Sequence, residues 1–84
     1  MRVKANKVFL DATYLIALAI SRDQFHQEAR RLMDEVLARR IKMITTRAVL
    51  LEFGNSLANP QLRIRAIRTL ESFEHDPHIE IVPL

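Results

Sequence analysis

The stretch Val8-Phe9-Leu10-Asp11 decides the fold class, because a short apolar run ends directly on an acid and a helix-forming segment follows it. Three apolar residues after Lys7 are too few for a helix and are typical of a strand buried in a parallel sheet. The segment Thr13 to Ile20 is apolar nearly all round, which predicts a short buried helix. Asp11 comes directly after a strand and before a helix. In an open α/β sheet, an acid at such a position lies at the carboxyl ends of the strands, where ligands bind.

The rest of the chain continues the alternation of strands and helices. The pattern predicts three further helices and two further strands: helices Gln24 to Arg40, a Thr46-capped helix to about Ala58, and Gln61 to Glu74; strands Lys42 to Thr45 and His78 to Val82. Strands separated by helices need parallel crossover connections, which are almost always right-handed. We therefore expect an α/β fold with a short parallel sheet of about three strands and helices on its faces.

The last predicted helix has the clearest start signal. Asn59 is a favoured N-cap residue, and Pro60 suits the first helical position. The apolar positions expected to face the core are Leu62, Ala66, Ile67, Leu70 and Phe73.

Composition restricts the classes of protein and partner. The 84 residues form one small domain, and 49% hydrophobic with 27% charged residues is ordinary for a folded globular chain. So small a domain has a thin margin of stability, which favours association with a partner subunit. The absence of cysteine excludes disulfides and thiolate zinc sites. A net charge of +3 mildly favours an anionic partner.

The beginning of the chain does not resemble a leader or a membrane anchor. Residues 1–7 are basic, but the apolar stretch after them is interrupted by Asp11 and Arg22 and lacks a convincing cleavage site. No uncharged segment approaches the roughly 18 residues needed to span a bilayer. We expect a cytoplasmic protein without a membrane partner. The single glycine, Gly54, excludes a glycine-rich phosphate loop.

A second acid, Glu52, accompanies Asp11 as a candidate site residue. Its neighbours Leu51 and Phe53 indicate a largely buried helix segment, where carboxylates are seldom unpaired. Two converging carboxylates suit Mg²⁺ or Mn²⁺, because these cations prefer oxygen ligands and keep water and phosphate in their shell. Five residues at helical spacing form a small, polar stripe that is typical of a cleft wall: Thr45, Ala48, Glu52, Asn55 and Ser56.

Each candidate also has a structural interpretation that the sequence leaves open. Asp11 is equally well placed to be the N-cap of the following helix. Glu52 would be satisfied by a salt bridge to a nearby arginine. Thr13 offers a hydroxyl to a carboxylate or a water, although a threonine near a helix start commonly has a capping role.

Three segments together resemble a known family: residues 8–18, residues 23–29, and Thr45-Thr46 through Glu52 to Asn55. In order and spacing they are similar to the N-terminal part of the PIN-domain family, ribonucleases that include VapC-like toxins of toxin–antitoxin pairs. The resemblance implies a three-layer PIN-like fold, truncated here to the single domain 1–84. It also implies Asp11 and Glu52 as the metal-binding and catalytic acids, supported by Thr13 and Asn55. The family's Mg²⁺ or Mn²⁺ activates water for in-line attack on an RNA phosphodiester.

The chain departs from the family pattern because a complete PIN domain continues for roughly fifty further residues that carry more strands and acids. We therefore expect weak metal binding, and poor or absent catalysis unless another chain supplies acids. The missing strands leave the edge of the first strand open, which predicts a homo-oligomer formed there or through nearby helices. One alternative is a non-catalytic module that binds RNA or an antitoxin-like helical peptide. Another is a purely structural α/β oligomer.

Overall fold

A four-stranded sheet and four helices make up the computed structural model, which describes residues 2–4, 6–57 and 59–83. In chain order the elements are β1 Arg2–Lys4, β2 Lys7–Phe9, α1 Ala12–Ala19, α2 His26–Ala38, β3 Lys42–Thr46, α3 Arg47–Asn55, α4 Pro60–His75 and β4 Ile79–Val82. Every helix and strand expected from the sequence is present within a few residues of its predicted place. Ala58, the predicted end of the third helix, lies outside the described residues.

The sheet has the strand order β1-β2-β3-β4, and β2, β3 and β4 are parallel. Val8 pairs with Met43, and Met43 pairs with Ile79. The first strand, β1, was not predicted; it pairs antiparallel with β2, setting Val3 opposite Val8. The expectation that β2 has an open edge is therefore wrong, because β1 covers that edge.

The two faces of the sheet have different environments. Val8 and Met43, adjacent on one face, are 0% and 2% exposed, so this face lies under the helices. On the other face Lys7, Lys42 and Glu80 are exposed, and Phe9 is 41% exposed. Right-handed crossovers that always step in the same direction across the sheet put every helix on one side. The described residues thus form two layers, helices on sheet, and not the expected three.

The core lies between the sheet and the helices. Its largest fully buried side chains are Phe53, Leu10, Leu15, Met43, Val8 and Thr45. Helices α1 and α2 are joined by two polar contacts, since the Tyr14 hydroxyl donates to the Ala29 carbonyl at 2.6 Å and His26 Nδ1 lies 2.8 Å from the Ala17 carbonyl oxygen. Within the described chain, none of the helices has the length and apolar character needed to cross a membrane.

Helix α4 begins as its sequence predicts, but one residue that was expected to face the core is exposed. The Asn59 side chain accepts from the Gln61 N–H at 2.8 Å, and Pro60 is the first helical residue. Ala66 and Phe73 are buried as expected, at 2% and 8% exposure. Ile67 was expected in the core and is instead 54% exposed. That prediction was wrong because each residue turns an α-helix by about 100°, which carries Ile67 away from the buried side on which Ala66 lies.

Candidate functional site

The junction between β2 and α1 is built around Asp11. The Leu10 N–H donates to the Ile44 carbonyl at 2.8 Å, so the chain leaves the sheet at Asp11. Asp11 is extended, and its Oδ1 accepts from the Tyr14 N–H at 2.7 Å, which makes it the N-cap of α1. The capping interpretation of Asp11 is confirmed. Oδ2 of this half-buried carboxylate has no hydrogen-bond partner among the described residues.

Thr45 fastens β3 to this junction. Its hydroxyl donates to the Leu10 carbonyl at 2.9 Å, and the residue is 0% exposed. Thr45 belongs to β3 and α3 starts at Arg47, so the predicted helical stripe that included Thr45 is wrong. Thr46 is the N-cap of α3, as expected, and its hydroxyl accepts from the Val49 N–H at 3.1 Å.

Glu52 lies on the outer surface of α3. It is exposed, and its neighbour Leu51 is 67% exposed, while Phe53 is 0% exposed on the core side. The expectation that Glu52 sits in a buried segment is wrong, because α3 buries only its inner face. Among the described residues Glu52 forms neither an ion pair nor a side-chain hydrogen bond, so the alternative of a salt bridge to arginine is not seen there.

The four site residues named by the sequence are divided between two elements. Asp11 and the exposed Thr13 lie at the start of α1, beside the carboxyl end of β2. Because β2 and β3 are parallel, α3 starts at the same edge of the sheet, with Glu52 in its second turn and the exposed Asn55 at its end. No hydrogen bond or ion pair in the described chain joins any two of these four residues. Nor do three or more His, Cys, Asp or Glu residues come together in that part of the chain as a metal-binding group.

The arrangement supports one kind of chemistry at Asp11. One carboxylate oxygen accepts the Tyr14 N–H and so stabilises the start of α1. The other oxygen can accept a hydrogen bond from water or bind a hard cation. Glu52 offers a second carboxylate, which is exposed on α3.

Two polar residues hold the junction in place. Thr45 was expected on a helical stripe, and Tyr14 was expected only as part of an apolar helix. Thr45 lies two residues after the buried Met43 in β3 and shares its face of the strand, so the period of two was the signal that Thr45 points to the core. Tyr14 donates its backbone N–H to Asp11 and its hydroxyl to Ala29. Burial, with Asp34 as a second cause, raises the pKa of Tyr14 to about 12, so the hydroxyl stays protonated as the donor.

Comparison with known proteins finds no match that would assign a family or a function to this chain. No protein-family model, curated protein or solved structure matches the chain. Any function assigned to the chain therefore depends on Asp11, Glu52 and the surfaces around them.

Proposed function

We propose that this chain is a PIN-like module that binds Mg²⁺ or Mn²⁺ at Asp11 together with an RNA phosphate. The observation that carries the proposal is the Asp11 carboxylate at the carboxyl edge of a parallel sheet, with Oδ2 left without a protein partner in the described residues. Ligands of open α/β proteins bind at that edge. The residue resemblance to PIN-domain ribonucleases supports the same assignment.

The donor chemistry fits a hard cation. Asp11 and Glu52 supply carboxylate oxygens, and Mg²⁺ commonly uses one or two carboxylates, completing its shell with water and substrate phosphate. When bound, such a cation neutralises phosphate charge and lowers the pKa of a coordinated water. Asp11 would anchor it, Glu52 would be the second ligand, and Thr13 would hold a water beside Asp11. With only two acids, we expect weak affinity and weak or absent ribonuclease activity.

The proposed partners follow from the same assignment. The net charge of +3 assists the approach of RNA. By family resemblance, the chain would be the toxin of a toxin–antitoxin pair, acting in the cytoplasm and bound by an antitoxin-like protein. The uncovered face of the sheet, around Phe9 and Lys42, is where the third layer of a PIN-like fold would lie.

A second candidate function is a PIN-derived binding or scaffold module without catalysis. It is favoured by the capping role of Asp11, which gives that residue a structural reason to be an acid. The two candidates differ in whether divalent metal binds at Asp11.

The deciding experiment is a calorimetric titration of the folded chain with Mn²⁺. Asp11→Asn keeps a side chain that caps helices well but removes the negative charge, so folding should survive while metal binding is lost. Asp23→Asn is the matched control, because Asp23 likewise accepts a backbone N–H, from Phe25 at 2.8 Å, away from the sheet edge. Glu52→Gln should weaken binding without abolishing it.

The outcomes separate the two candidates. Binding that is lost in Asp11→Asn and kept in Asp23→Asn supports the metal site and leads to assays of RNA cleavage with Mn²⁺. Absence of Mn²⁺ binding to the wild-type chain, with and without RNA, would contradict the metal site and favour the scaffold. Equal loss in both variants would show binding that is not specific to Asp11.

A further inference from the structure

Helix α4 presents an apolar stripe to solvent. Ile64 and Ile67 are 53% and 54% exposed, whereas Ala66 and Phe73, on the side that packs against the core, are buried. Leu70 follows at the same spacing of three residues. It is half-buried and packs partly against the core, so the stripe ends there at the groove between α3 and α4. Neighbouring apolar side chains exposed in a row on one helix face indicate a surface that contacts another molecule.

Charged residues flank this stripe, with a basic residue at one end and acidic residues at the other. The exposed Arg63 lies at its N-terminal end, and the exposed Glu71 and Glu74 lie at its C-terminal end. None of the three forms an ion pair within the described residues. Arg63 uses Nε to donate to the Leu57 carbonyl at 2.9 Å, which leaves its terminal nitrogens available. The stripe therefore has a basic end, an apolar middle and an acidic end.

We propose that two copies of this chain associate through α4, with the two helices antiparallel about a two-fold axis at Ile67. Residues equally far from Ile67 then face each other. Ile67 contacts the partner's Ile67, Ile64 contacts the partner's Leu70, and Arg63 meets the partner's Glu71. The apolar residues lie three positions from the axis and the charged ones four, so all of them share the face that the helix presents.

Charge complementarity selects a second copy over another occupant. A two-fold axis brings the same patch of each subunit together in reverse, so each basic end meets an acidic end. A partner of one charge sign would instead place like charges against either Arg63 or Glu71, and such contacts are strongly unfavourable.

The groove beside the stripe adds contact area to the same interface. A cavity of about 390 Å³ lies between α3 and α4, with Leu51 and Leu70 among its lining residues. Leu51 is 67% exposed there. The partner's Ile64, opposite Leu70, would reach the rim of this groove and cover part of Leu51. The proposal does not depend on metal or RNA.

The test is sedimentation equilibrium of the full chain, without metal or RNA, over a wide range of concentrations. We expect a mass of two chains for the wild type and of one chain for Ile67→Asp. Leu37→Asp is the matched control, because Leu37 on α2 is 55% exposed, and it should remain dimeric. A wild-type chain that stays monomeric at the highest concentration, or a dimer unaffected by Ile67→Asp, would overturn the proposal.

Charge reversal tests the register. Arg63→Glu and Glu71→Arg, taken singly, each place like charges across the interface and should weaken association by about tenfold or more. The double reversal restores opposite charges and should recover the wild-type dimer. Single reversals without effect, or a double reversal no better than the singles, would rule out this antiparallel register. Circular dichroism of each variant confirms that α4 still folds.

Discussion

Asp11 and Glu52, the two acids that define the candidate site, lie in very different surroundings. Asp11 is half-buried at the end of β2 and caps α1 through the Tyr14 N–H at 2.7 Å. Glu52 is exposed on α3 and makes no polar side-chain contact with the described residues. The capping role therefore accounts for an acid at position 11, whereas the exposed position 52 accommodates a charged residue without requiring one.

The largest expected effect separates the inner and outer faces of α3. Phe53→Ala should destabilise the protein by about 3–5 kcal/mol, because Phe53 is 0% exposed and its removal leaves a cavity. Leu51→Ala, two residues away on the 67% exposed side, should change stability by no more than about 0.5 kcal/mol. Urea unfolding measures both, with Ile67→Asp in each protein so that association through α4 does not contribute. Similar losses in the two variants would mean that α3 is rotated from this position.

The next largest effect concerns the contact that holds β3 to the Asp11 junction. Thr45→Val should cost about 1–3 kcal/mol, because it leaves the buried Leu10 carbonyl without the hydroxyl that donates at 2.9 Å. Thr69→Val is the control, since Thr69 donates to the Arg65 carbonyl at 2.9 Å on a surface where water can replace it. Its expected effect is within about 0.5 kcal/mol. If the two substitutions lowered the unfolding midpoint equally, the buried Thr45 hydrogen bond would stabilise the protein no more than the exposed Thr69 hydrogen bond does.

The comparison between the two acids also shows what the sequence can predict. Short apolar runs, the Asn59-Pro60 start signal and the Thr46 cap are local patterns, and the elements they predict are present. Asp11 as a cap was equally accessible, because capping involves residues only three positions apart. Local patterns therefore located the helices, the strands of the parallel sheet and the capping role of Asp11.

The errors arose where the outcome depends on distant residues. Whether Glu52 is buried depends on which face of α3 meets the core, and the mostly apolar sequence around it does not distinguish the faces. Strand β1 has only three residues and is held by pairing with β2, a tertiary interaction. The uncovered sheet face follows from every crossover stepping in one direction, which no single segment encodes.

A smaller effect concerns the Tyr14 hydroxyl on the Asp11 side of the comparison. Its folded-state pKa of about 12 lies above the unfolded value of roughly 10, so the contribution of Tyr14 to stability should be constant below about pH 10 and be lost as the pH rises toward 12. Tyr14→Phe should lower stability by about 1–1.5 kcal/mol at neutral pH, because the hydrogen bond to the Ala29 carbonyl is lost. Since phenylalanine does not ionise, the variant should not show the part of the alkaline loss of stability that Tyr14 causes.

Tyr14 is the single tyrosine of the chain, so ultraviolet absorbance of the phenolate reports its ionisation directly. A midpoint near that of free tyrosine in the folded protein would mean that the hydroxyl is not buried against Ala29. The stability difference between wild type and Tyr14→Phe across the same pH range is the second readout.

The smallest effects compare the two acids themselves. Asp11→Ala should cost about 1 kcal/mol, since alanine cannot accept the Tyr14 N–H, whereas Asp11→Asn should cost less because asparagine caps well. Glu52→Ala should change stability by less than about 0.5 kcal/mol, because Glu52 is exposed. Thermal unfolding without divalent metal measures these differences. Repeating it with Mn²⁺ measures the additional stabilisation that metal binding to the folded state would contribute. If Mn²⁺ raises the melting temperature of the wild type and of neither Asp11→Asn nor Glu52→Ala, then the two acids act together despite their unequal structural roles. If Glu52→Ala responds to Mn²⁺ as the wild type does, Asp11 acts without Glu52.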